Sequence, residues 1–258
     1  MSETPETPTQ DATASTTPRA PQRGTLHLIP VGLGDAPPSA WLPNDVRALA
    51  GRLDTYIAEN AKTARAFLKL IGTDRPLQEI TIHVLDRSVT DARMREWLSP
   101  IRKGGEIGLV SEAGCPAVAD PGARVAAAAH ALGLRVAPWV GPSSLLLGLM
   151  ASGLEGQRFT FHGYAPVRPD ERARTLKTWE AASRQHDQTQ LFIETPYRND
   201  AMFQSLLQTL KGDTRLCVAR SLTTADEWIH TCSIAQWKQR PAPQLDKKPT
   251  LFLFLASR

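Results

Sequence analysis

Between Leu109 and Gly122 the chain reads Leu-Val-Ser-Glu-Ala-Gly-Cys-Pro-Ala-Val-Ala-Asp-Pro-Gly. Two carboxylates, a hydroxyl and a thiol stand in a stretch punctuated by two glycines and two prolines. Glycine lets a backbone approach a ligand closely, and proline fixes a turn. An apolar strand that turns sharply twice before a helix is suited to hold a small ligand. Glu112 and Asp120 can each accept from ligand hydroxyls or an amine. Asp120 also suits the cap of the helix expected from Pro121.

Five other short runs stand beside it. Pro30-Val-Gly-Leu-Gly-Asp35 carries a GxG after a strand, but lacks the third glycine of a dinucleotide fingerprint, and read alone it is a plain turn. No GxxxxGK[ST] run is present, which removes the usual triphosphate loop. Gly141-Pro-Ser-Ser144 sets two hydroxyls at a helix start, where one is expected to cap. Glu194-Thr-Pro-Tyr-Arg198 follows an apolar strand, and its Glu and Arg, four apart, are placed to pair. Arg220-Ser-Leu-Thr-Thr224 and Glu227-Trp-Ile-His230 complete the set, with His230 read as structural. The three cysteines, Cys115, Cys217 and Cys232, form no CxxC pair, so neither a metal site nor a disulfide framework is expected.

These loops need a scaffold of alternating strands and helices. Strands are expected at 25–29, 54–58, 80–85, 106–110 and 134–137, with helices over 61–71, 89–101 and 121–132 between them. Proline in the first turn of the last helix costs no hydrogen bond. A helix opening near Pro142 follows, then a strand at 158–162, a charged helix over 169–186, a strand at 190–194 and a helix over 199–210. Strands near 216–219, 227–232 and 250–255 end the chain. Thr250-Leu-Phe-Leu-Phe-Leu255 is apolar on both faces and predicts a central strand. The pattern is α/β: a mostly parallel sheet first, a mixed sheet second. The expected organisation is a disordered tail over 1–23, an α/β domain over 24–138 and a second over 139–258, with the ligand cleft between the two domains.

Composition sets wide bounds. The 258 residues are 41% hydrophobic and 22% charged. Such values are normal for a globular protein with a sizeable core. No apolar run is long enough for a membrane helix. A net charge of +4 permits a nucleic-acid partner without demanding one. On the helix over 169–186, Arg168, Arg172, Arg174, Lys177 and Arg184 stand among Asp170, Glu171 and Glu180. That reads either as a mixed solvated face or as a phosphate-contacting edge. Cysteine usage and the lack of a secretory or transit segment make the cytoplasm the expected compartment.

The ordered series LHLIPVGLGD, YIAEN, GLVSEAGCPAVADPG, VGPSSLLLGLMASGL, RFTFHGY, FIETPYR, VARSLT and EWIHT resembles the tetrapyrrole methylase superfamily of S-adenosylmethionine-dependent methyltransferases. Within it the chain is most similar to the branch of the 16S rRNA (cytidine-2′-O)-methyltransferases and their paralogues. The likeness runs from about Gly24 to the C-terminus. It implies two α/β domains, S-adenosylmethionine in the cleft between them, and a homodimer. Carried onto this chain, it places the cofactor against Pro30, Leu33, Gly114, Pro116, Val118, Ala119, Asp120, Ser143, Ser144, Ile193, Glu194, Ser221 and Leu222, mostly through main chain.

The chain departs from the rRNA enzymes at four places. They read Asn at Asp35, Glu-Asp-Thr-Arg at Glu59-Asn60-Ala61-Lys62, Glu at Ser221 and Gly-Glu at Lys248-Pro249. The cofactor loops are retained and the candidate substrate loops altered. Methyl transfer needs alignment and exclusion of water rather than a metal. For a hydroxyl acceptor a carboxylate base is expected, with Glu59 and Glu112 as candidates and Asp120 third. The expected activity is methyl transfer to ribose 2′-O in rRNA. A tetrapyrrole or other small-molecule acceptor, and a non-catalytic cofactor-binding module, are the alternatives.

Overall fold

The computed structural model describes residues 24–257. The expected tail lies outside the described residues. The first sheet holds β1 (Thr25–Leu28), β2 (Thr55–Ala58), β3 (Thr81–Val84), β4 (Glu106–Val110) and β5 (Arg135–Pro138) in the order β3-β2-β4-β1-β5, with every pairing parallel. Between the strands run α1 (Asn44–Arg52), α2 (Ala61–Ile71), α3 (Asp91–Leu98) and α4 (Gly122–Ala131). Asn60 caps α2 by accepting from the Lys62 amide at 2.8 Å, and Thr90 caps α3 through the Arg93 amide. Tyr56 is fully buried opposite Gly108 of β4. A Cβ at 108 would collide with the Tyr56 ring, so a glycine in mid-strand makes room for the aromatic next door.

Chain order in this sheet fixes where a ligand can sit. β1 and β4 lie side by side at the centre. The connection leaving β1 runs towards β2 on one side, and that leaving β4 runs to β5 on the other. Such a reversal opens a crevice outside the carboxyl ends of the two strands. The loops after β1 and β4 meet there in a short bridge. Val31 and Gly114 exchange both backbone hydrogen bonds, at 3.0 and 3.1 Å.

The second sheet is mixed and has the order β6-β7-β10-β8-β9. Its strands are β6 (Phe159–Tyr164), β7 (Thr189–Ile193), β8 (Arg215–Arg220), β9 (Trp228–Ser233) and β10 (Thr250–Leu255). β10 is central and buried along its whole length. Phe252 and Phe254 pack with Phe192 towards α6 (Pro169–His186) and α7 (Asn199–Thr209). Leu251 and Leu253 face α5 (Ser144–Ser152) on the other side. Burying each such side chain contributes roughly 1.5–3 kcal/mol.

The two sheets have the character expected of them, parallel first and mixed second. Two helices escape the sequence reading: α1, which starts directly after Pro43, and the single turn α8 (Ile234–Trp237), closed by a Ser233–Gln236 capping box. The helix expected over 89–101 ends at Leu98 and continues to Lys103 as a 3-10 segment, since Pro100 cannot extend the α-helical ladder. β6 runs two residues further than expected, to Tyr164, across a bulge. Among the described residues no helix is long and apolar enough to cross a membrane.

Candidate functional site

Two adjoining cavities, of about 300 and 270 Å³, lie at the carboxyl ends of the first sheet's central strands and against one face of the second sheet. Leu33, Ala113, Ser144, Tyr164 and Ile193 line both. Of the residues expected at the site, the first cavity collects Leu33, Glu59, Glu112, Gly114, Val118, Ala119, Asp120, Ser143, Ser144 and Ile193. The second adds Glu194 and Leu222. Loops distant in sequence therefore meet around one space. They are stitched by tight approaches: Gly141 admits Pro30, and Gly34 admits Thr224, where any Cβ would clash.

Pro30, Pro116 and Ser221 are not brought to the wall of either cavity. Pro30 packs on Gly141, and Pro116 is buried within its loop. Ser221 donates its amide to the Pro249 carbonyl at 2.8 Å and accepts at its own carbonyl from the Thr224 amide and hydroxyl. Proline and a strained turn residue shape the loops from behind, so a side chain can belong to a ligand motif without facing the ligand.

The loop between β4 and α4 is held in an unusual conformation. Ala117 and Ala119 both have positive φ, 69° and 62°. Each such non-glycine residue costs on the order of 1–2 kcal/mol. Asp120 Oδ1 offsets this by accepting from the Ala117 amide at 3.0 Å and from the Gly122 amide, the first of α4, at 2.7 Å. The helix-capping role open in the sequence is thus filled. Asp120 Oδ2 is buried without a partner. Burial pushes the Asp120 carboxyl above its usual range, and the amide bonds from Gly122, Ala117 and Val118 pull against that shift.

Glu59 leaves the end of β2 and enters the same wall. Its carboxyl is also raised, first by burial and then by the charges of Asp120 and Glu112, with the Glu112 amide opposing. Three carboxylates therefore share one side of the first cavity. The Cys115 thiol points at the Pro142 carbonyl at 3.4 Å, and burial raises its pKa. It is therefore not an activated nucleophile.

On the second sheet's side the bulge decides which side chains reach the cavity. In a regular strand Phe161 and Tyr164 would face opposite ways. Gly163 has φ 69°. The extra residue of the bulge brings both side chains to the first cavity. Neither was found by reading the sequence, because strict alternation excludes the pair; the Gly between them was the available signal. Glu194, fully buried, forms the expected pair with Arg198, which donates through Nε at 3.0 Å and through Nη2. Its Oε2 has no partner. Ser143 makes no capping bond to α5, contrary to expectation. On α6, Arg172 is buried and donates to the Ser205 hydroxyl and the Val167 carbonyl, and Arg184 bonds Ser257, so only Arg168, Arg174 and Lys177 remain exposed. His230 packs on Trp237 and bonds Arg240, outside both cavities.

A Xylella fastidiosa protein described as ribosomal RNA small subunit methyltransferase I is 31% identical over 236 residues, covering 90% of this chain and 81% of its own length. The chain belongs to this family. Family members from Mycobacterium bovis and Escherichia coli O157:H7, under the same description, are 31% and 26% identical, covering 80% and 83% of this chain and 69% and 71% of theirs. No family model matches the chain. The crystal structure of the methyltransferase CobJ superposes with a TM-score of 0.58 at 19% identity, covering 91% of this chain and 94% of that one, which shows a shared fold. As a member of the ribosomal RNA small subunit methyltransferase I family, the chain is an enzyme that transfers methyl groups.

Proposed function

We propose that this methyltransferase uses S-adenosylmethionine and methylates a ribose 2′-hydroxyl of ribosomal RNA. The observation that carries the reading is the convergence of loops from both sheets, at Leu33, Gly114, Ser143, Ile193 and Leu222, on adjoining cavities with an acidic wall. The residues fit the cofactor. The wall of Glu59, Glu112 and Asp120 suits a sulfonium and an ammonium, and the partnerless Asp120 Oδ2 is open to a donor. Gly114 leaves its backbone open where a side chain would crowd Leu33. Bound there, S-adenosylmethionine would supply an electrophilic methyl group.

The protein's own groups do the rest. Leu33, Ile193 and Leu222 exclude water, and the loops fix the approach of the acceptor; alignment of this kind removes several kcal/mol from a barrier. Glu59 is the proposed base, because its carboxyl stands in the acidic wall of the first cavity and burial raises its pKa, which makes it a stronger proton acceptor than a free carboxylate. Glu112 and Asp120 hold it in that state. An rRNA acceptor puts this work in the cytoplasm. The relatives' shared description supports the RNA acceptor.

Purified protein incubated with labelled S-adenosylmethionine and 30S subunits should place label in 16S rRNA as a 2′-O-methyl nucleoside. Label on base nitrogen or carbon, or none at all with intact cofactor binding, removes the acceptor reading.

The enzyme is proposed to act as a homodimer. Along α5 and the turn before it, Leu146, Met150 and Val140 are 54%, 79% and 74% exposed. The helix that carries the first two is apolar all round. Such a face is ordinarily covered. Sedimentation should give twice the chain mass, and Leu146→Glu with Met150→Glu should give a monomer. A monomeric wild type at micromolar concentration overturns this.

A further inference from the structure

Beside the cleft mouth stand two tyrosines that nothing in the fold explains. Tyr164 ends β6, pairs with Ile193 across the bulge and lines both cavities, yet is 57% exposed. Tyr197 sits in the 3-10 turn Pro196–Arg198 that follows β7 and is 78% exposed; its neighbour Pro196 lines the second cavity. Neither hydroxyl has a hydrogen-bond partner among the described residues, so neither ring is held for its phenol. Of the sheet's other aromatics Phe192, Phe252 and Phe254 are buried, Phe161 and Trp228 are half-buried, and Phe159, at the far end of β6, is 40% exposed.

The charges around the cleft are unevenly placed. The acidic wall of Glu59, Glu112 and Asp120 belongs to the first sheet and would repel a phosphate. The second sheet's rim carries cations. Lys247 donates its amide to the Pro196 carbonyl at 3.3 Å, so it stands beside the Tyr197 turn, and its side chain is 71% exposed with only a 3.9 Å contact to Asp246. Arg168, four residues beyond Tyr164, is 78% exposed, with a 3.6 Å contact to the exposed Asp170. An RNA strand would therefore lie along the second sheet's rim with its bases turned to the cleft.

We infer that Tyr164 and Tyr197 form a stacking platform that holds an unstacked nucleobase of the RNA substrate while Lys247 and Arg168 meet its backbone. The inference rests on the RNA reading above and names the residues that would recognise such a substrate. A single-stranded or flipped nucleotide is what aromatic faces recognise in RNA, and stacking tolerates any base because each has a π-face. A ribose whose base is held at the mouth presents its 2′-hydroxyl inward, towards the carboxylates.

The test is steady-state methylation of 30S subunits by the wild type, Tyr164→Ala, Tyr197→Ala and the two Tyr→Phe variants, with S-adenosylmethionine affinity measured by calorimetry on each. Each alanine variant should raise KM for 30S subunits about tenfold. The phenylalanine variants should restore it, since they keep the ring, and in the Tyr197 variants, whose ring lines neither cavity, cofactor affinity should stay within about twofold. If the wild type methylates 30S subunits and the alanine variants keep its KM, the platform is overturned and the RNA reading stands. If Tyr164→Ala loses cofactor affinity with KM unchanged, Tyr164 belongs to the cofactor pocket and the inference fails there. If the wild type binds cofactor but methylates no RNA, or binds a flat macrocycle such as a porphyrin instead, the RNA reading and the platform fall together.

Discussion

Gly114→Val is expected to weaken S-adenosylmethionine binding about a hundredfold or more while both sheets stay folded. Gly114 has φ 72°, in the left-handed region. An L side chain in that region costs on the order of 1–2 kcal/mol. A Cβ there would lie 3.2 Å from Leu33 Cδ2 and 3.4 Å from the Pro142 carbonyl oxygen. The leucine methyl can give way; the backbone oxygen cannot. Valine adds two methyls to a crowded site, and overpacking of this kind costs roughly 1–3 kcal/mol. Gly114 also exchanges two hydrogen bonds with Val31, so any shift drags the loop that carries Leu33. Two of the converging loops move together, and about 3 kcal/mol of local cost reads as more than a factor of 100 in affinity. Calorimetry measures it, with circular dichroism as the check on folding. Gly114→Ala keeps the backbone strain but adds one methyl, and should fall between. Wild-type affinity in the valine variant would mean that this loop does not touch the cofactor.

The same loop shows what could be read from residue types and what could not. Gly and Pro marked the turns at Leu33, Gly114, Ser143 and Pro196, because close approach and fixed direction favour those residues, but not the turns that bring Glu59 and Leu222 to the cleft. β10 was legible as a central strand because Leu251, Phe252, Leu253 and Phe254 leave no face for water. The positive φ at Ala117 and Ala119 was not legible, since alanine carries no mark of it; Asp120 imposes that conformation from outside. Tyr164 was hidden by a bulge, which breaks the two-residue period on which strand reading depends. α1 was hidden by Pro37, Pro38 and Pro43, which read as a turn but leave the following residues free to start a helix. Pro30, Pro116 and Ser221 were expected at the ligand because they lie in the right motifs. Cys115 beside Pro116 and Leu222 beside Ser221 line the cavities instead, and Pro30 packs on Gly141. What was missed is tertiary: conformation enforced by a contact from elsewhere in the chain.

Glu59→Gln separates the base from the cofactor's counter-charge. If Glu59 takes the proton of the acceptor, the amide should lower kcat about 10²- to 10⁴-fold with cofactor affinity little changed. If it only balances the sulfonium, affinity falls and kcat at saturation survives. The pH dependence gives a second readout. Burial and the charges of Asp120 and Glu112 raise the Glu59 pKa. A base works deprotonated, so the wild-type rate should climb with pH through that raised value, and the Gln variant should lose this limb. Stability runs the other way. A carboxyl raised on folding stabilises fully only below its unfolded pKa, and that contribution is lost as pH rises through the folded value. Above that raised value the ionised Glu59 therefore works against the fold of the free protein. There Glu59→Gln should melt at a higher temperature than the wild type, with the gap closing as the pH is lowered past the raised value. A variant that is slower and yet more stable is what a residue retained for chemistry predicts. One that is slower and less stable would put Glu59 among the structural carboxylates and return the search for a base to Glu112.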